Sequence, residues 1–438
     1  MLPVVAQYFS KYRVKHGIIE FIEQQHETAD GLFVNIHYIL ESNELEIEKL
    51  VSPGFDNTNV NIGDHHSVFS LFHQLLPGLI KENCYAHVLH NSVKNGNEHL
   101  LIDIESALLK IYVHFCRSTV RSYELKRYFD FIEQEQKVIL KHIRIRWLSL
   151  LQSIDRLFIV YPVVKKFFIS NSGECTLYFL VNVLKDVQDT NLRLQKYYTT
   201  GVDLHSIITS FICKLNNRLH EEFFGHKVNE LLKKIPHSNE VDDLVESFRL
   251  FIHSIINYIE KYYHERSSFY KSISIFSETD IDKIQWRSIE QCATFIDNKK
   301  IDKDLLYNEF SQIKSKYIEL KEKFGGIHKQ IEAFIPSNLI ELQQAKITNY
   351  DKTDLLNEFD NLDHSDTNED NCDTRFHKDQ KKRPLIRCDH LGAYLLNDEN
   401  VPHLQKLVQF SFSVPASNAF CESIFSHMNF WGIIVETK

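Results

Sequence analysis

The spacing of apolar positions changes near residue 98. Before that point, 2–9 and 14–22 are rich in Val, Ile and Phe and flank the polar turn Ser10-Lys11-Tyr12-Arg13, so two short strands are expected. Residues 27–40 then carry Ala29, Leu32, Phe33, Ile36 and Ile39 at helical spacing, and 47–55 returns to an extended pattern ending in Asp56-Asn57-Thr58-Asn59. A helix is expected over 60–76, stopped by Pro77-Gly78, and 84–93 reads as a short buried strand or a strand-to-helix junction. Residues 1–97 are therefore expected to form a mixed domain with an incomplete sheet.

From 98 to about 350 the period is that of a helix. Leu101, Ile104, Leu108, Ile111 and Phe115 make one stripe, and Phe248, Phe251, Ile252, Ile255, Ile259 and Tyr262 make another. Leu306, Phe310, Ile313, Tyr317, Leu320 and Phe324 follow heptad spacing, but for too short a stretch to require a coiled coil. An ordinary amphipathic helix ended by Gly325-Gly326 is expected. Residues 351–390 are acidic and poor in large apolar side chains, which predicts a disordered linker. Residues 391–438 turn apolar again and are expected to pack back on the body. The fold class expected is α+β and mostly helical.

Composition adds limits. With 43% apolar and 12% aromatic residues in 438, the chain can bury a large core. No apolar run reaches the roughly 18 residues of a membrane span, so no membrane partner is expected. The eight cysteines are scattered without a close CxxC pair, against both a disulfide framework and a zinc finger. Asp351 to Asp373 holds nine acids against Lys352 alone and accounts for nearly all of the net charge of −9. The rest is close to neutral and leaves nucleic acid open as a partner.

Four local motifs carry chemistry. Asp56-Asn57 with Asn61 puts an acid at the end of an expected strand, where α/β folds place reactive groups. Cys84-Tyr85-Ala86-His87 follows, with His90 and Asn91. A tetrahedral zinc site needs four ligands and only Cys84, His87 and His90 converge here, so packing is the better account of them. Arg144, Arg146 and Trp147 set an aromatic face beside cations, suited either to a nucleic-acid base or to a core position on an amphipathic helix. Pro415-Ala416-Ser417-Asn418-Ala419, then Glu422 and Phe425-Ser426, closes the series.

In this order the motifs resemble those of hAT-family transposases. The resemblance implies an incomplete RNase H-like mixed sheet, a large all-α insertion domain and a C-terminal dimerisation block. It makes Asp56 and Glu422 the second and third of three metal-binding acids, with Ser423 standing where the family pattern has arginine. It makes Arg144, Arg146 and Trp147 DNA-binding residues, and Leu404, Leu407, Phe410, Phe412 and Phe425 dimerisation residues. It puts the first acid on a strand before Leu2, so truncation is expected and Asp56 and Glu422 are read as vestigial. No cofactor is then expected, and Mg²⁺ enters only if the site is catalytically competent.

The expected function is a transposase-derived, catalytically inactive nuclear protein acting by homodimerisation, or heterodimerisation with related chains, and by possible DNA binding. The alternatives are a metal-dependent DNA transposase or nuclease, in which an acid such as Asp64 or Glu20 replaces the first one, and a non-functional transposon remnant.

Overall fold

In the computed structural model, which describes residues 2–23, 28–131, 139, 149–168, 170–236, 238–296, 301–323, 326–345 and 386–430, most of the chain is helical. The N-terminal apolar runs pair as expected: β1 (Leu2–Phe9) and β2 (Val14–Ile22) form an antiparallel hairpin, Phe9 opposite Val14, with a register shift between Val4 and Val5. The turn closes because Ser10 Oγ accepts the amide of Arg13 and donates to its carbonyl. Then come α1 (Ala29–Ser42), capped by Thr28, and β3 (Gly54–Phe55), followed by α2 (Asn59–Ile62) and α3 (Val68–Leu75). β4 (Glu82–Asn83) pairs parallel with β3 and leads directly into α4 (Tyr85–Asn97).

Two local expectations need correction and a third is narrowed. The helix expected over 60–76 is two helices, because Ser67 and Ser70 form a reciprocal capping box that restarts the chain after Gly63. Residues 47–55 supply only a 3₁₀ turn, Ile47–Lys49, and the two-residue β3. Of the two readings of 84–93, the strand-to-helix junction is the one found, with β4 ending at Asn83 and the chain helical from Tyr85 onward. The described strands therefore make two separate two-stranded sheets.

The helical middle comprises α5 (Ile104–Cys116), α6 (Thr119–Phe131), α7 (Ser149–Phe168), α8 (Asn171–Gln195), α9 (Gly201–His220), α10 (His226–Leu232), α11 (Ser238–Tyr263), α12 (Ser267–Ile273), α13 (Trp286–Ala293), α14 (Lys303–Glu322) and α15 (Gly326–Ala345). The stripe expected on α5 is buried at Ile104, Leu108, Ile111 and Phe115, and that on α11 at Phe248, Phe251, Ile252, Ile255 and Ile259. Phe179 of α8 stacks on Phe248 at 4.0 Å and meets Phe251 edge-on at 5.3 Å, which locks α8 to α11. The heptad-like residues 306–320 bury one side of α14 within the same core, as an ordinary amphipathic helix does. Among the described residues no helix is long and apolar enough to cross a membrane.

Three C-terminal helices, α16 (Cys388–Leu396), α17 (Pro402–Ser413) and α18 (Ala419–Phe430), return to the body. One continuous core takes residues from the hairpin, the helical middle and this segment, cutting across the boundaries that periodicity draws. A smaller core lies between α1, α2 and α3, with Leu32, Val68, Phe69 and Phe72 at its centre. Of the expected linker, 351–390, residues 351–385 lie outside the described residues, as do Arg144, Arg146 and Trp147, and its end is corrected because α16 already begins at Cys388.

The returning segment is pinned at Arg387. Its guanidinium makes two hydrogen bonds to Asp389, at 3.0 and 2.8 Å, and lies 4.3 Å over the ring of Tyr198. Asp389 also accepts the amide of Val14 at 3.0 Å, tying the hairpin to α16. Burial disfavours ionisation of Asp389, but Arg387 outweighs it and holds that carboxyl below its ordinary range. Asp203, beside it at the start of α9, is pushed up to about 6 by burial and by the charge of Asp389, although it accepts the amide of Thr200.

A raised folded-state value means that Asp203 favours the folded state most when protonated. Its contribution is complete below the ordinary aspartate range, near 3.8, and is lost as pH rises through about 6. The stability of the native protein relative to Asp203→Asn should therefore fall by roughly 2–3 kcal/mol between pH 4 and 7. Urea unfolding at both pH values measures this, and parallel stability profiles would contradict it.

Candidate functional site

The parallel pairing of β3 and β4 is short, but it aligns two chain segments whose ends face the same point. Asp56 follows β3 directly, and its side chain is fixed locally. Oδ1 accepts from the Thr58 amide at 3.3 Å, from Thr58 Oγ1 at 2.8 Å and from Asn61 Nδ2 at 2.6 Å. Asn57 bridges to the neighbouring segment: its Oδ1 accepts the Cys84 amide at 3.0 Å, and its Nδ2 donates to the Cys84 carbonyl at 3.2 Å. The polar residues of the Asp-Asn-Thr-x-x-Asn stretch thus hold the acid in place and splice β3 to the start of α4.

The C-terminal segment closes the site from the other side. The Asn418 amide donates to Cys84 Sγ at 3.2 Å, and the Tyr85 amide donates to the Ala416 carbonyl at 3.3 Å. Pro415 and Asn418 lie so close to Gly54 that a β-carbon there would stand 3.1 Å from each, tighter than ordinary contact. At the far side Gly201 donates to the Val414 carbonyl at 2.7 Å, and a β-carbon on Gly201 would stand only 2.7 Å from Val414 Cγ1. Val414 to Asn418 is therefore clasped between the starts of α9 and α4 and the end of β3.

This clasp delivers Glu422, in the first turn of α18, to the neighbourhood of Asp56. Its Oε1 is 3.9 Å from His87 Nε2, and the carboxyl is half-exposed. Burial and then the charge of Asp56 raise the Glu422 carboxyl above the ordinary glutamate range. His87, on the first turn of α4, is lowered by burial despite Asp56, which draws it upward. Two acids from near opposite ends of the chain and an imidazole between them thus share one electrostatic environment.

Cys84 is buried and its thiol is pushed up to about 12, chiefly by burial, so it packs and accepts a hydrogen bond rather than offering a thiolate. Asp64 points to Lys81 at 2.7 Å, and Glu20 sits exposed on β2 opposite Val4. Among the described residues no group of three or more His, Cys, Asp or Glu side chains is arranged to hold a metal ion. Mg²⁺ requires a near-octahedral set of oxygens, and a carboxylate pair joined by an imidazole, one acid already committed to three hydrogen bonds, does not by itself fit it.

The residues expected at a dimer interface lie on and around α17. Leu404, Leu407 and Phe412 are buried in the chain's own core, and Phe9 stacks on Phe412 at 5.0 Å. The buried face of α17 thus packs within the chain. Phe410 is half-buried against the same core, and the side chain of Phe425 lies outside the described residues. No protein-family model matches the chain, and no curated protein sequence matches it.

Asp56→Asn should lower the titration midpoints of both Glu422 and His87, since the charge of Asp56 raises each. Side-chain NMR titration of selectively labelled protein reads both at once. Unchanged midpoints would show that Asp56 and Glu422 do not share a site.

Proposed function

We propose that this chain derives from a hAT-type transposase and acts by binding DNA without cutting it. The observation that carries the reading is the convergence of Asp56 and Glu422 beside His87. A chance likeness in two short motifs gives no reason for those two positions to meet. Asp-Asn after a strand and Pro-Ala-Ser before a helix do meet here, and they touch through Gly54, Cys84 and Asn418. An RNase H-like core, with the helical middle as its insertion, would account for that meeting.

A binding role is favoured over phosphoryl transfer by the state of the site. Two-metal chemistry uses carboxylates as bridging ligands. Here the oxygen Oδ1 of Asp56 is bonded to three donors, Glu422 favours its protonated form relative to an ordinary glutamate, and the group beside them is an imidazole. Under this reading the protein works in the nucleus. A second copy or a related chain would pair with it through a surface other than Leu404, Leu407 and Phe412.

Incubation with supercoiled plasmid and Mg²⁺ or Mn²⁺ tests the proposal. The expected result is retarded but uncut plasmid. Divalent-ion-dependent nicking that disappears in Asp56→Ala and Glu422→Ala would overturn it in favour of a nuclease. Failure to retard DNA at low salt would remove the binding role.

A further inference from the structure

We propose that the hairpin of α5 and α6 is the face that holds the phosphate backbone of duplex DNA. The inference rests on the DNA-binding reading for its ligand and goes beyond it in naming the surface. Between residues 110 and 127 the sequence has five cations, Lys110, Arg117, Arg121, Lys126 and Arg127, against one acid, Glu124. In a body that is close to neutral outside 351–373, that is a local excess of positive charge.

The fold turns this run outward. Leu108, Ile111 and Phe115 of α5 and Leu125 and Phe129 of α6 are buried in the main core, and Ser122 Oγ ties the two helices by donating to the Phe115 carbonyl at 2.7 Å. With those faces committed, all five cations are exposed. Lys110 and Arg117 lie seven residues apart along one side of α5, and Arg121 carries the stripe across the turn, its Nη1 2.9 Å from His114 Nδ1. On α6, Val120, Tyr123 and Arg127 share the outermost face, with Val120 66% and Tyr123 63% exposed.

What marks this surface is the clustering of five exposed cations without acidic partners among the described residues. Some cations elsewhere on the described surface meet acids, as in Lys81–Asp64, Arg218–Asp186, Arg249–Glu222, Lys316–Glu399 and Lys321–Asp280, and others, such as Lys185 and Lys261, stand exposed but singly. None of the five on α5 and α6 pairs with a carboxylate among the described residues, and the partner of Arg121 is an imidazole and a carbonyl. Unneutralised guanidinium and ammonium groups in a row suit a polyanion with evenly spaced charges, and each phosphate met releases a condensed counterion. Exposed Tyr123 beside Arg127 adds an aromatic surface of the kind that packs on sugar rings.

The test uses the full chain and a fluorescent duplex of about two helical turns, with anisotropy followed over a range of NaCl concentrations. Arg117→Gln, Arg121→Gln and Arg127→Gln are combined in one variant; glutamine keeps helix propensity, and circular dichroism verifies the fold. A control removes the same charge elsewhere, with Lys214→Gln, Lys227→Gln and Arg249→Gln. The hairpin variant is expected to bind at least tenfold more weakly at low salt. Its logarithmic salt slope should be shallower by roughly 0.9 for each phosphate that the variant no longer neutralises, while the control stays near wild type.

Equal weakening in both variants, or none in the hairpin variant while wild type binds, would overturn this face and leave the DNA-binding reading standing. A wild-type chain that binds no duplex would overturn both. Tighter binding to single-stranded RNA or anionic vesicles than to duplex, abolished in the hairpin variant, would overturn the assigned ligand.

Discussion

The return of the C-terminal segment into the body is the constraint on which the rest depends. Val414 to Asn418 runs as a non-helical strip between the starts of α9 and α4, held by main-chain hydrogen bonds from Gly201 and Tyr85 and by the Asn418 amide on Cys84. Two glycines make the approach possible, because a side chain on Gly54 or Gly201 would collide with the strip. On its outer side Gln7 donates to the carbonyls of Phe412 and Val414, so the N-terminal hairpin packs on residues that arrive last in the chain. Contacts of such sequence separation form only after much of the chain has been ordered, at the entropic cost of closing a long loop.

The site follows from that geometry. Asp56 is fixed by its own turn, His87 by the helix that Cys84 begins, and Glu422 by the helix that follows the strip. None of the three would meet the others without the clasp. The consequence is an environment where one carboxyl raises another and where the imidazole between them is held low by burial. The buried side of the same architecture is stiff, with Tyr270 donating to the fully buried Glu82 one residue before the end of β4. Burial pushes that carboxyl far above its ordinary range.

Much of the fold was legible in the sequence where burial alone selects the pattern. The hairpin, the stripes of α5 and α11 and the amphipathic α14 all have one apolar face, and period identifies a face. The breaks were harder, because the stop at Gly63 and restart at Ser67 depend on capping by side chains rather than on hydropathy. At the site, the acids were legible as motif positions, whereas their meeting was not. It depends on pairs such as Gly54 with Pro415 and Cys84 with Asn418, which leave no periodic trace. The apolar face of α17 was legible as a buried face, but hydropathy does not say whether the burying partner is the same chain or another. The cations of α5 and α6 were present as a charge run, and only the helical geometry shows that all five are exposed.

The most direct measurement compares the full chain with one ending at residue 345, using hydrogen exchange and chemical unfolding. Loss of exchange protection in β1, β2 and the first turns of α9 and α4, with loss of a cooperative transition, is the predicted result. A shortened chain that keeps the protection and the unfolding midpoint of the full one would contradict the account.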